Sequence, residues 1–289
     1  MTIRTIQKKL QQLGSEEKAN VLRRFFKTGP GEYGEGDVFI GVSVPELRKL
    51  VKEYPDITIK ESAQLLKSLV HEERMLSLLM LVAKYSKGNE TVKKRIYNLY
   101  LQHTRFINSW DLVDNSAHHI VGNFLMDKSK APIYRLATSK NLWERRIAIL
   151  STFYFIKHHN YSETLKLSKI LLVDEQDLIQ KAVGWMLREI GKRDIYTIET
   201  FLKKYYKRMP RTMLRYAIEK FPEPKRQNYL KGDDIMPTYE FICEKCKKPF
   251  TVIMKISEYE KKKIQCPKCK SRKVKQQITS FQTITSSKS

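Results

Sequence analysis

The chain has 289 residues, of which 55 are Lys or Arg and 31 are Asp or Glu, so its formal net charge is +24. Its 41% apolar content excludes an intrinsically disordered chain, and its length suits one large domain plus a smaller one. The charge exceeds what solubility requires and indicates a polyanionic partner, with nucleic acid first and anionic lipid second.

The sequence carries no sign of a membrane segment. It has no run of 18 apolar residues, and its first residues, MTIRTIQKKL, lack the apolar core of a signal peptide. We therefore expect a cytoplasmic protein with no membrane association, which acts as a monomer. That compartment is reducing, so the four cysteines are not expected to form disulfides.

Amphipathic segments follow one another from about residue 15 to residue 221, with links mostly of two to six residues. In chain order they are EEKANVLRRFF, VPELRKLVKEY, SAQLLKSLV, EERMLSLLMLVAKY, TVKKRIYNLYLQH, SWDLVDNSAHHIVGNFL, LWERRIAILSTFYFIKHH, SETLKLSKILL, DLIQKAVGWMLREIG, TIETFLKKYY and RTMLRYAIEKF. Short helices paired at roughly 35 to 45 residues are typical of HEAT or armadillo repeats. The pattern predicts an all-α solenoid with one concave face.

The segment 109–124, SWDLVDNSAHHIVGNF, carries an acid on its apolar face. On a helix with about 3.6 residues per turn, Asp114 shares one stripe with Trp110 and Val113. A buried carboxylate costs roughly several kcal/mol unless it has a partner, so its presence there needs an explanation. Asp111 needs none, because an acid in the first turn favours the positive end of the helix dipole.

A glycine-rich loop, TGPGEYGEGDVFIG, interrupts the helices at residues 28–41. Its glycines could form a phosphate cradle, but no Lys-Ser or Lys-Thr follows to complete a P-loop and no strand is evident before it. We therefore predict a flexible surface loop that could contact DNA.

Residues 222–237, PEPKRQNYLKGDDIMP, contain Pro, Gly and charged residues without periodicity, which predicts a linker. The pattern of apolar residues changes after this stretch. The following residues alternate like short strands. We expect a helical domain over residues 1–231 and a small β-rich domain over residues 232–289, whose final SSKS is frayed.

The β-rich segment contains two Cys-x-x-Cys pairs, Cys243 with Cys246 and Cys266 with Cys269, separated by nineteen residues. Two turns of this kind can present four thiolates to one tetrahedral Zn²⁺. Four protein ligands leave no open position, so we expect a structural zinc site. Four inert buried cysteines or a redox pair are the alternatives, and no βαβ pattern supports the redox pair.

About 50 residues, from MPTYEFICEKCKKPF through CPKCKSRKVKQQITSFQTITSSKS, resemble an FmdB-type zinc ribbon. In that resemblance the turns usually carry glycine where this sequence has Lys247 and Lys270. A segment this short has little apolar core, so the metal is expected to supply much of its folding free energy.

Two later helices combine tryptophan with cations. In LWERRIAIL, Trp143 lies on the apolar stripe, and Arg146 flanks it. In IQKAVGWMLREIG, Lys181, Trp185 and Arg188 share one face, which suits an anionic backbone with a base or sugar against the ring. The alternative is a core Trp185 whose neighbouring cations extend to water.

Five segments, GVSVPELRKL, SWDLVD, WERRIAIL, QKAVGWMLREIGK and MPRTMLRYAIEKF, resemble the AlkD-type DNA alkylation-repair glycosylases, which are built of HEAT-like repeats. The similarity extends over most of residues 15–225. It implies binding of double-stranded DNA and excision of N3- and N7-alkylated purines, whose base is cationic and whose glycosidic bond is already weakened.

The resemblance assigns the catalytic aspartate to Asp114, the paired tryptophans to Trp110 and Trp185, and the arginine beside the carboxylate to Arg146. It implies that Asp114 stabilises an oxocarbenium-like sugar and positions water, without a catalytic metal or redox cofactor and without flipping of the base into a tight pocket. Two charges about 4 Å apart at an effective dielectric near 20 give about 4 kcal/mol, or roughly a thousandfold in rate. Arg146 would grip a phosphate and keep Asp114 ionised.

Further residues are assigned with less direct support. Contacts to the DNA backbone are expected from basic side chains of the last helices, each of which could equally be a solvated surface charge: Lys181, Arg188, Arg211 and Arg215. Some active members carry a tyrosine where this chain offers only Phe25 or Phe26. For His118 we expect a hydrogen bond within the helix stack and not a role as a general base.

Three functions remain open at this point: an alkylpurine DNA glycosylase with an accessory zinc ribbon, a catalytically silent binder of damaged or branched DNA, and a scaffold for acidic proteins. The charge favours the two DNA-binding functions. Retention of Asp114, Trp110, Arg146 and Trp185 favours the glycosylase.

Overall fold

The computed structural model describes residues 3–231, 238–253 and 264–276. It divides into two compact units, Met1–Lys220 and Phe221–Ser289. The α-helices in chain order are α1 (Ile3–Leu13), α2 (Glu16–Phe25), α3 (Val44–Glu53), α4 (Ile59–Leu65), α5 (His71–Lys87), α6 (Glu90–Gln102), α7 (Trp110–Asp114), α8 (Asn123–Leu125), α9 (Ala131–Ala137), α10 (Leu142–Lys157), α11 (Ser162–Ile170), α12 (Asp177–Gly191), α13 (Ile195–Tyr205), α14 (Arg211–Ala217) and α15 (Glu223–Lys231).

The helices of the first unit form two rows. Row A runs through α3, α5, α7, α10, α12 and α14, and each of these helices contacts the next one. Row B contains α4, α6, α9, α11 and α13, which pack against α5, α10 or α12. From α5 onward the row A helices begin at residues 71, 110, 142, 177 and 211, an interval of roughly 35 residues. This arrangement confirms the predicted all-α helical-repeat fold.

Two glycines allow row A to pack closely. A Cβ atom on Gly122 would lie 2.1 Å from the carbonyl oxygen of Ser151 in α10, and one on Gly184 would lie 2.5 Å from the carbonyl oxygen of Met213 in α14. Both distances are shorter than van der Waals contact, so a larger residue would push the neighbouring helices apart.

The predicted single helix over residues 109–124 is wrong in its middle part. Helix α7 ends at Asp114, a π-helical turn follows at His118–Gly122, and α8 comes after it. At the break, the Ser116 hydroxyl donates to the carbonyl oxygen of Leu112 (2.5 Å), and the side-chain amide of Asn115 donates to that of Asp111 (2.9 Å). Side chains that bond nearby carbonyl groups compete with the helical hydrogen bonds, and the π-helical turn accommodates the resulting offset.

Three helices were not predicted: α1, α9 and α15. Helix α1 was predictable, because its apolar residues Ile3, Ile6, Leu10 and Leu13 follow a helical period and Ile6 and Leu10 are buried. Helix α15 occupies residues that were expected to be a linker. Pro224 lies in its first turn, where backbone N–H groups have no acceptor within the helix, so proline is tolerated there. Tyr229 is buried and anchors the helix.

The second unit contains a three-stranded antiparallel sheet with strand order β2-β1-β3, formed by β1 (Thr238–Cys243), β2 (Pro249–Ile253) and β3 (Val274–Gln276). Phe241 of β1 lies opposite Phe250 of β2, and their rings are 5.6 Å apart. The sheet confirms the predicted β-rich ribbon. Among the described helices of the whole chain, none has the length and apolar character needed to span a membrane.

Candidate functional site

Asp114 and Arg146 form a bidentate ion pair between α7 and α10. Nε of Arg146 donates to Oδ1 of Asp114 at 2.9 Å, and the terminal nitrogen NH2 donates to Oδ2 at 2.8 Å. The remaining nitrogen, NH1, donates to the carbonyl oxygen of Leu178 in α12 (2.5 Å). Only 15% of the Asp114 side chain and 6% of the Arg146 side chain are exposed. The partner that the apolar position of Asp114 requires is therefore Arg146.

Burial has the largest effect on the pKa of Asp114. Desolvation raises the pKa of this carboxyl, the Arg146 guanidinium opposes that shift, and the charge of Asp111 adds to it. The net direction is upward, because the guanidinium offsets only part of the desolvation. Arg146 thus favours the ionised form but leaves Asp114 a stronger base than an ordinary aspartate.

Trp110, at the start of α7, belongs to an aromatic cluster. Its ring stacks on Phe26 at 5.3 Å and meets Phe25 edge-on at 5.8 Å. Its indole Nε1 donates to the hydroxyl of Tyr33 at 3.3 Å. Aromatic neighbours on two sides and a hydrogen bond at the polar edge fix the orientation of this half-buried ring.

Tyr33 lies in the glycine-rich loop and connects it to two row A helices, α7 and α10. Besides its contact with Trp110, its ring meets Trp143 of α10 at 6.0 Å. Burial raises the pKa of Tyr33, while the hydrogen bond from Trp110 and the charge of Lys181 in α12 lower it. The loop was expected to be a flexible surface segment, yet it places a hydroxyl among the predicted site residues.

A buried histidine joins the same loop to α7. Nδ1 of His71 is 2.8 Å from Oδ2 of Asp37, and Nε2 is 2.9 Å from Oδ2 of Asp111. Arg74 completes this network with a donor 2.6 Å from Oδ1 of Asp37. Burial alone would lower the pKa of His71, but the hydrogen bonds and charges of Asp111 and Asp37 outweigh it and raise the pKa to about 9. His71 is therefore an imidazolium clamped between two carboxylates at neutral pH.

Trp185 belongs to a second aromatic cluster. Its ring lies 5.8 Å from Phe153 of α10, which in turn lies 5.3 Å from His118, one turn beyond Asp114. Its indole Nε1 donates to Glu189 at 3.3 Å, and Glu189 also binds Lys192 at 2.6 Å. The ring is half-buried, so neither a full core position nor free exposure describes it.

His118 is not suited to proton transfer near neutral pH. Burial and the neighbouring His119, whose ring lies 3.8 Å away, lower the pKa of His118 to about 3. A group with so low a pKa stays neutral and is a poor general base. The low pKa is in line with the expectation that His118 is not a catalytic base, but Nδ1 of His118 is buried and, among the described residues, lacks the hydrogen-bond partner that was expected.

The four predicted DNA-contacting residues lie on α12 and α14, which pack against each other. Lys181 forms an ion pair with Asp177 at 2.6 Å, and Arg188 forms one with Glu219. Arg211 and Arg215 are exposed on α14. The Lys181–Asp177 pair is exposed and contributes little stability, so a phosphate can replace its carboxylate at small cost, whereas Arg188 is largely buried. The role of all four residues remains a prediction.

The four cysteines of the second unit converge on one point. Their sulfur atoms all lie within 4.8 Å of one another, with Cys243 and Cys269 at 3.4 Å and Cys246 and Cys266 at 3.6 Å. A tetrahedral metal with sulfur bonds of about 2.3 Å requires sulfur atoms about 3.8 Å apart, so the cluster fits a four-thiolate metal site. With four protein ligands such a site is structural.

The two cysteine turns have the same backbone conformation. The amide of Lys247 donates to the carbonyl oxygen of Cys243 at 2.9 Å, and that of Lys270 donates to Cys266 at 2.9 Å. Both lysines adopt left-handed φ angles, 56° and 54°. The turns keep the geometry that glycine usually supports, although neither carries glycine.

The first unit is thus a helical-repeat domain with a buried carboxylate–guanidinium pair, and the second is a four-cysteine ribbon. The family model described as DNA alkylation repair enzyme matches residues 6–221, so the chain belongs to the DNA alkylation repair enzymes. A second family model, described as zinc ribbon domain, matches residues 236–278.

One solved structure similar to this chain is described as "Predicted DNA alkylation repair enzyme from Enterococcus faecalis". It is 18% identical, with a TM-score of 0.56, and the match covers 73% of this chain and 97% of that one. At this identity the likeness concerns the fold. No curated protein matches the chain significantly.

Sequence reasoning missed Tyr33, Asp37 and His71, and it misjudged Asp111. Asp111 was expected to serve only the helix dipole, but it is buried and bonds His71. No local pattern connects these residues, because 34 residues separate Asp37 from His71 and 40 separate His71 from Asp111. The one available signal was a histidine at the start of a strongly apolar helix.

We expect His71→Gln to change the pH dependence of stability. The pKa of His71 is raised from 6.5 to about 9, so its ion pairs with Asp37 and Asp111 contribute fully to the free energy of unfolding below pH 6.5. That contribution is lost as the pH rises through about 9. The variant should therefore be less stable than the parent by about 3 kcal/mol at low pH, and the difference should narrow in alkali. Urea unfolding at several pH values measures this.

The matched control is His158→Gln, because His158 is an exposed histidine. Its effect on the free energy of unfolding should be small at every pH. If the His71→Gln difference stayed constant between pH 6 and pH 10, the charged-clamp interpretation would be wrong.

Metal removal should unfold the second unit selectively. Four thiolates held together by one ion supply most of the folding free energy of so small a domain. A chelator, or Cys243→Ser with Cys266→Ser, should abolish amide-exchange protection in β1 and β2 but leave the protection of α10 and α12 unchanged. Protected ribbon amides in metal-free protein would contradict this expectation.

Proposed function

We propose that the chain is a DNA glycosylase that hydrolyses the N-glycosidic bond of cationic N3- or N7-alkylated purines in double-stranded DNA. Water adds its oxygen to C1′ of the sugar, the bond from C1′ to the base nitrogen breaks, and the bonding electrons neutralise the departing cationic base. The water gives up a proton, and an abasic site remains. Asp114, Arg146, Trp110 and Trp185 are the residues to which we assign this chemistry.

The observation that supports the proposal most directly is the state of Asp114. The carboxylate is held by one guanidinium in a largely desolvated place, and burial raises its pKa. A buried anion that is only partly compensated gains from any further positive charge beside it. An alkylated purine supplies that charge on the base, and bond cleavage transfers it to the sugar.

Arg146 acts through Asp114 in this proposal. All three nitrogens of its guanidinium are engaged, two with Asp114 and one with the carbonyl oxygen of Leu178. Only 6% of the side chain is exposed, so its main contact is with the carboxylate that it orients and a phosphate has little access to it. We therefore infer that Arg146 is a positioning residue and revise its expected phosphate contact.

The two tryptophans favour a cationic base over a neutral one. An aromatic face attracts a cation within about 6 Å of the ring, and the attraction increases when water is excluded. Trp110 and Trp185 are both half-buried and oriented by hydrogen bonds to Tyr33 and Glu189. Preoriented rings lose little entropy on binding.

For the second unit we propose Zn²⁺ as the metal. Thiolate ligands in tetrahedral arrangement select zinc among the abundant divalent ions. The four cysteines would hold it, and the ion would supply folding free energy to the ribbon. Hydrolysis of the glycosidic bond does not pass through this site.

The second candidate is a silent binder of damaged DNA, in which the Asp114–Arg146 pair serves only stability. The buried bidentate geometry favours this role as well as the catalytic one, because structural ion pairs have the same form. Free base released from DNA that contains 7-methylguanine separates the two functions, since a binder releases none.

We expect Asp114→Asn to lower base release about a thousandfold while DNA binding persists. The loss reflects about 4 kcal/mol of charge stabilisation at the sugar. Single-turnover release of 7-methylguanine measures the rate, and a gel shift with the same DNA measures binding.

The matched control is Asp174→Asn. Asp174 forms a similar ion pair, 2.6 Å long, with Arg145, the residue next to Arg146. This variant should lose comparable stability and keep its activity. Equal activity in both variants would show that Asp114 does not carry the chemistry, and no base release by the parent protein would leave only the silent binder.

Tyr33→Phe should slow base release by roughly 2- to 10-fold without weakening DNA binding. The hydroxyl accepts the Trp110 hydrogen bond, and one such bond contributes about 0.5–1.5 kcal/mol. Tyr134→Phe is the control, because it removes another hydroxyl hydrogen bond, to Glu163, outside the loop. An unchanged rate in Tyr33→Phe would show that Tyr33 does not position Trp110.

A further inference from the structure

The two cysteine turns of the ribbon repeat one pattern of lysines. The first reads Cys-Glu-Lys-Cys-Lys-Lys and the second Cys-Pro-Lys-Cys-Lys-Ser, starting at residues 243 and 266. Each turn therefore carries a lysine immediately before its second cysteine and another immediately after it. These four residues, which we call the turn lysines, are Lys245, Lys247, Lys268 and Lys270.

Two of the turn lysines occupy a conformation that disfavours them. Lys247 and Lys270 have φ angles of 56° and 54°, in the left-handed region where a side chain clashes with its own backbone and glycine does not. Backbone bonds to Cys243 and Cys266 impose this conformation on both. A sequence that breaks a local rule at both equivalent positions, when glycine would fit better, indicates that the side chain itself has a use.

The turn lysines must lie close together around the metal site. Each is a chain neighbour of a cysteine, so its Cα lies about 3.8 Å from that of a ligand, and all four sulfur atoms lie within 4.8 Å of one another. All four lysines are exposed. Within residues 238–253 and 264–276, no carboxylate forms an ion pair with any of them.

The surroundings of this cluster are positive. Residues 243–248 and 266–273 contain seven basic residues and one acidic residue, Glu244. The amide of Glu244 donates to the carbonyl oxygen of Lys273 at 2.9 Å, which draws the second turn's basic tail beside the first turn. Four thiolates and one divalent ion contribute a charge of about −2, which leaves the surface clearly positive.

We propose that the turn lysines form a second DNA-binding surface, which contacts backbone phosphates and reads no bases. The inference rests on the proposed DNA substrate but not on excision of a base. Duplex DNA carries one negative charge per about 1.7 Å of helix axis, so a compact cluster of four cations meets several phosphates in any register. A ribbon on the same chain as the repair domain acts at high effective concentration, and weak contacts therefore suffice.

The experiment compares two double variants of the full zinc-loaded chain. Lys247→Asn with Lys270→Asn removes the charges but keeps the backbone, because asparagine tolerates the left-handed conformation. Lys247→Arg with Lys270→Arg keeps the charges. Affinity for a short undamaged duplex is measured by fluorescence anisotropy as a function of salt concentration, and zinc content is measured on the same samples.

The plot of log affinity against log salt has a negative slope, and the asparagine variant should make it shallower by nearly 2, since each lost phosphate contact removes about 0.9. The arginine variant should keep the parent slope. Lys203→Asn with Lys204→Asn, two exposed lysines of α13 in row B, is the charge-matched control and should leave the slope unchanged.

Two results would overturn the proposal. One is an asparagine variant that keeps zinc and shows no greater loss of slope than the control. The other is loss of zinc from the asparagine variant alone, which would show that the lysine charges serve the metal site. Base release at saturating protein should be unchanged in all variants. A parent protein that releases no base would refute the glycosylase and leave this test intact.

Discussion

The structure depends on one buried charge pair. Asp114 would destabilise the apolar stripe of α7 without a partner, and the guanidinium of Arg146 meets it with two hydrogen bonds. The third bond of that guanidinium reaches the carbonyl oxygen of Leu178, so one side chain connects α7, α10 and α12. Because burial still raises the pKa of Asp114, the pair is under-compensated and responsive to a further cation. Stability and the proposed chemistry therefore draw on the same interaction.

Helix α7 needs this support because it is short. A helix of five residues has almost no stability of its own in water. It is held from one side by the Asp114–Arg146 pair and from the other by the bond between Asp111 and the charged His71. His71 in turn binds Asp37 and so brings the glycine-rich loop against the helix. The orientation of Trp110 follows from this network and from Tyr33 at its indole nitrogen.

The sequence predicted features that depend on residues close together in the chain, and it did not predict contacts between residues that are far apart in the chain. Row A was predictable because its segments are rich in apolar residues and joined by short links, and the acid on the apolar face of residues 109–124 pointed to Asp114 without any structure. Arg146 was assigned only by resemblance, since nothing local links it to a carboxylate 32 residues away. The bonds of His71 and Tyr33 form between a loop and helices far along the chain. Periodicity describes one element at a time and cannot report such contacts.

In the ribbon, by contrast, the local sequence was enough to predict the arrangement of the site. Its cysteine spacing predicted the sulfur cluster, because tetrahedral coordination fixes the geometry of both turns. Lys247 and Lys270 stand out in this geometry, since the turn hydrogen bonds to Cys243 and Cys266 impose the left-handed backbone whatever side chain is present. The proposed metal would supply much of the folding free energy of so small a domain, which therefore relies less on its surface residues for stability. Its exposed positions can therefore carry lysines for their charge.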